Sequence, residues 1–97
     1  MALTDKIPGL IRDPELLTFR EIDERHHRPK GTAFRAFKQR AGRWVEGREF
    51  HYLSNHEAGP WIEALRREGR IYDATVHLVL LTPAGYRQLQ GDLDDGA

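Results

Sequence analysis

The sequence predicts an α+β fold, a small winged helix-turn-helix-like domain with a short β-hairpin or wing. Three observations predict it. Two helical patterns flank residues 26–31, HHRPKG, a break short enough to be a single turn. The stretch REFHYLS at 48–54 alternates and is rich in aromatics, which favours a strand. The run ATVHLVLL at 74–81 is short, apolar and β-branched, the pattern of a buried strand.

Residues 1–15 read as a leader segment, because Pro8-Gly9 and Asp13-Pro14 both interrupt regular structure. At most a short strand over Gly9–Arg12 is expected there. Charges are scattered through this segment and it has no long apolar run, so neither a signal peptide nor a membrane anchor is expected.

The domain itself is expected over residues 16–90. Thr18 is placed to cap a first helix, with Glu21 three residues later completing a capping box and Leu17, Phe19, Ile22 and His26 tracing one side. Arg28-Pro29 stops it, since a residue before proline is pushed out of the helical region. Thr32 is expected to cap a second helix over 32–41. At about 100° per residue, Phe34, Phe37 and Ala41 form its packing stripe, with Arg35, Gln39 and Arg43 opposite and Ala36 and Arg40 beside them. Gly42 ends it. A third helix is predicted over Glu57–Glu68, and Thr82-Pro83 starts a last one, because proline suits the first helical position. Residues 91–97, GDLDDGA, read as an acidic flexible tail.

Charge separates the function classes. The chain has 15 basic and 15 acidic side chains, yet residues 28–48 hold seven basic groups against Glu46 alone. Such a block calls for a polyanion. Arginine forks take guanine edges and glutamine pairs with adenine, so Arg35, Gln39 and Arg43 are the candidates for base edges of double-stranded DNA. Arg28, Lys30, Lys38, Arg40 and Arg48 lie in the turn, on the flank or at the strand start and are candidates for phosphates. Thr32 joins them through its helix N-terminus, an anion site.

Other classes find little support. The chain has no cysteine, hence no disulfide and no thiolate metal site, which suits the cytoplasm. Its five histidines follow no ligand spacing, and neither a phosphate-cradling glycine loop nor a paired-acid motif is present. No enzyme activity, cofactor or metal is expected. The aromatic residues are read mainly as core, and Arg66, Arg67 and Arg70 as a solvated face balanced by Glu63, Glu68 and Asp73.

The stretch HHRPKGTAFRAFKQRAGRWVEGREFHYL resembles the N-terminal DNA-binding domain of phage antirepressor-type proteins, the phage open-reading-frame-six N-terminal domain associated with KilA-N modules. The resemblance is carried by His26, Arg28, Pro29, Gly31, Thr32, Ala33, Phe37, Trp44, Val45, Glu46, Gly47 and Phe50, and continues in LTPAGYRQL at 81–89. It differs at Lys30, where the family often has an acid, and at Phe34, where a basic residue is frequent. The resemblance implies a phage or prophage DNA-binding domain, usually joined to a second module, acting in transcription regulation. The expected partners are double-stranded DNA, a second copy on a two-fold site and a regulatory protein, with no membrane. The competing reading is a protein-interaction module, an antirepressor or inhibitor that turns the same basic face to an acidic protein.

Overall fold

Leu78 and Leu80 of one short strand point to one apolar cluster while Leu81, with Val79, serves another, and this two-sided burial organises the whole chain. The computed structural model describes residues 6–94. It is an α+β domain whose elements run α1 (Ile7–Arg12), α2 (Phe19–Arg25), α3 (Thr32–Arg40), β1 (Phe50–Leu53), α4 (Asn55–Arg67), β2 (Leu78–Leu81) and α5 (Pro83–Asp94). β1 and β2 pair antiparallel, Phe50 opposite Leu81 and Leu53 opposite Leu78. The chain between them carries α4, so the pair is joined by a helical connection in place of a tight turn. Leu17 extends the pairing, exchanging backbone hydrogen bonds of 3.0 and 2.8 Å with Leu81.

On one side of the sheet Ile7, Ile11, Leu16, Ile62, Leu65 and Ile71 gather beneath α1 and α4; on the other, Ile22, Ala33, Phe37, Leu89 and Leu93 join α2, α3 and α5. A strand buried on both faces needs a continuous apolar run rather than alternation, and LVLL is one.

The capping box at the start of α2 forms as its sequence predicts. The Thr18 hydroxyl accepts from the Glu21 amide at 3.1 Å and the Glu21 carboxylate accepts from the Thr18 amide at 2.9 Å. Thr82 caps α5 by accepting from the Gly85 amide at 3.2 Å, with Pro83 at the first helical position. α4 begins at Asn55, two residues earlier than expected, because Ser54 supplies a cap to the Glu57 amide. It kinks at Ala58, close to Pro60, which has no amide to donate.

Three expectations fail, two of them towards the chain's ends. Of the leader, residues 1–5 lie outside the described residues, and the strand over Gly9–Arg12 is absent: α1 occupies this stretch. Pro8 falls in the first turn, where its missing amide has no role, and Ile7 and Ile11 pay the helix back by burial against α4. The acidic tail is helix at least through Asp94, held by Leu93, which is 1% exposed. Residues 95–97 lie outside the described residues. Strand β2 is shorter than the predicted 74–81, since Thr75 closes a turn onto the Tyr72 carbonyl.

Candidate nucleic-acid interface

α3 is positioned from both ends and from below. At its start Gly31 is in the left-handed region, φ 91°, where a side chain is strained, and no side chain of the helix itself caps it. The cap comes from α2. Buried Asp23 accepts from the Gly31 amide at 3.0 Å and the Ala33 amide at 2.8 Å, and the Tyr72 hydroxyl donates to the same carboxylate at 2.6 Å. Burial, and then the bond to Asp23, push the Tyr72 phenol above its ordinary range.

Thr32 is therefore not the cap, and the physical reason for placing a phosphate on it disappears. Its hydroxyl donates backwards to the Pro29 carbonyl at 2.7 Å, and the first amides of the helix already face a carboxylate.

The underside of α3 is Ala33, Ala36 and Phe37, all buried. Phe37 makes edge contacts with Trp44 at 5.8 Å and Phe50 at 5.3 Å, and Phe19 lies 5.2 Å away. This corrects the expected stripe: Ala36 belongs to the core, and Phe34, 45% exposed, belongs to the surface. The alanines allow α3 to approach its neighbours closely, a preference that apolar size alone does not reveal. The solvent-facing arc is thus Phe34, Arg35, Lys38 and Gln39, with the Lys38 ammonium 5.5 Å from the Phe34 ring centre. No acidic residue occurs in α3.

The remaining basic residues divide. Arg43 is exposed in the 3₁₀ turn Ala41–Arg43 that follows α3. Arg40 turns away to α5, where its guanidinium donates to both oxygens of Asp92, at 2.8 and 2.9 Å. That bond holds the Asp92 carboxyl below its usual range and raises Arg40. Arg28 donates to the Leu93 carbonyl, at 2.8 Å from Nε, and so serves the C-terminal turn of α5. Lys30 lies 5.2 Å over the Tyr72 ring. Arg48 pairs with buried Glu49, whose carboxylate also accepts from the Val45 amide at 2.8 Å; the Arg48 bond first and that amide second lower the Glu49 pKa.

Of the nine sequence candidates, Arg35, Lys38 and Gln39 share the open arc, whereas Arg40, Arg43 and Arg48 meet around a second feature. This is a cleft of about 190 Å³ lined also by Gln39, Trp44, Glu49 and Gln88. Gln88, on α5, carried no signal in the sequence, being forty or more positions from the other donors. A larger cleft of about 520 Å³ opens between α1, α2 and α4, but its charges balance: Arg12, Arg25 and Arg70 against Asp13, Glu21 and Glu68. Nor are the arginines near it simply solvated, since Arg70 bonds Glu21 at 3.0 Å and Arg66 bonds the Asp73 carbonyl at 3.1 Å. No helix among the described residues is long and apolar enough to cross a membrane. Comparison with known proteins gave no match to a family model, a curated protein or a solved structure.

Proposed function

We propose that this domain binds double-stranded DNA, with α2, the turn 26–31 and α3 acting as a helix-turn-helix and the β1–β2 pair as its wing. The observation that carries the reading is the outer arc of α3, which offers Phe34, Arg35, Lys38 and Gln39 with no acid among them. An arginine, a lysine and a glutamine supply the donors and acceptor that base edges in the major groove require, and a phenylalanine edge suits a thymine methyl. The resemblance to phage antirepressor-type DNA-binding domains points the same way and supports a role in phage or prophage transcription regulation.

The test is fluorescence anisotropy of labelled duplex with the full chain at about 50 and 200 mM salt. A protein that neutralises six phosphates weakens by roughly a thousandfold over that range. After a preferred site has been selected, Arg35→Ala or Gln39→Ala is expected to cost about 1–3 kcal/mol there and much less on random duplex. Absence of binding at low salt would reject the DNA reading in favour of an acidic protein partner.

A further inference from the structure

The cleft beside α3 has a composition that the outer arc does not explain. Its cations are Arg40, Arg43 and Arg48. Two are already matched, Arg40 by Asp92 and Arg48 by Glu49. The Arg43 side chain makes no hydrogen bond or ion pair with any described residue, so the cleft retains one uncompensated positive charge.

Its neutral donors face the same space. The Trp44 indole N–H can only donate, and it does so to the Gln88 side-chain oxygen at 3.0 Å. That bond orients the Gln88 amide and leaves its NH₂ group, two donors, directed away from Trp44. The Gln39 amide, the Arg48 guanidinium on a side chain 65% exposed, and its partner Glu49 complete the lining. The Trp44 ring is fixed in turn by Phe37 and by Phe50 at 6.5 Å, so the wall of the cleft belongs to the rigid aromatic cluster.

We propose that this cleft seats one backbone phosphodiester of the duplex, with Arg43 matching its single negative charge and Arg48 and Gln88 donating to its non-bridging oxygens. The proposal rests on the DNA reading above and changes the role of Arg43 from base recognition to phosphate contact. It also brings α5 into the interface: the seat combines the end of α3, the segment before β1 and α5, and so fixes how the helix is rotated in the groove.

The test compares the salt dependence of random-duplex binding for the full chain, Arg43→Gln, Gln88→Ala and, as an equal charge change outside the cleft, Arg67→Gln. Arg43→Gln is expected to reduce the slope of log K against log salt by about 0.9, so that between about 50 and 200 mM it loses roughly 3.5-fold less affinity than the parent. Its defect at low salt should be the same on random and selected duplex. Gln88→Ala should weaken binding with no change of slope, because it removes a neutral donor. An unchanged slope for Arg43→Gln, while the parent binds, overturns the seat and leaves the DNA reading standing. A defect confined to the selected site also overturns it, returning Arg43 to the bases. Failure of the parent to bind at low salt overturns both.

Discussion

Arg40 and Asp92 form a two-bonded ion pair between α3 and α5, Nε to Oδ2 at 2.8 Å and Nη2 to Oδ1 at 2.9 Å. A carboxylate thus occupies a guanidinium fork at the rim of the candidate DNA surface. Asp92→Asn is expected to release Arg40 for phosphate, strengthening duplex binding and steepening the salt slope by up to about 0.9. Both side chains are more than a third exposed, 36% and 38%, so the stability lost should stay below about 1 kcal/mol. Unchanged affinity in the anisotropy assay would mean that Arg40 does not face DNA.

Asp23 is the support on which the start of α3 depends. Asp23→Ala strands the Gly31 and Ala33 amides and the Tyr72 hydroxyl together, and should destabilise the domain by about 3 kcal/mol in urea unfolding. Tyr72→Phe removes a single bond and should cost about 1 kcal/mol. Equal costs for the two variants would show that the cap contributes nothing beyond the tyrosine contact.

Gly85 is required by a close approach. A Cβ there would lie 2.1 Å from the Glu49 carbonyl oxygen, which itself accepts from the Thr82 amide at 3.1 Å. Backbone on both sides leaves no flexible group to yield, so Gly85→Ala should lower the melting temperature by ten degrees or more, on the order of 3 kcal/mol. Gly42→Ala meets nothing within 4 Å and should be neutral or slightly stabilising. Similar melting temperatures for both variants would contradict the packing of α5 against the segment before β1.

Stability should fall on both pH limbs. Asp92 and Glu49 titrate below their ordinary ranges, so their contribution is complete above an unfolded pKa of about 4 and is lost as pH drops through the lower folded values. Tyr72 is shifted upward, so its contribution holds below about pH 10 and declines above it. Urea midpoints measured from about pH 3 to 11 check this, and Glu49→Gln should flatten the acid limb while leaving the alkaline one. An acid limb of unchanged steepness in Glu49→Gln would remove Glu49 from the account.

Features that hang on neighbouring residues were legible before any coordinates. The Thr18–Glu21 capping box, the Thr82-Pro83 helix start, the buried LVLL strand and a basic α3 without acids all depend on residues within a few positions of one another. The remainder followed from packing between distant segments. Asp23 displaced Thr32 as the cap because a buried carboxylate can reach two amides at once, and eight to ten positions separate it from them. Ala36 went inward and Phe34 outward because close helix packing favours the smaller side chain. Leu93 drew the acidic segment into α5, and Gln88 met Trp44 across 44 positions. Local hydrogen bonding is written in short spacings, whereas burial and cross-chain pairing depend on which surfaces the fold brings together.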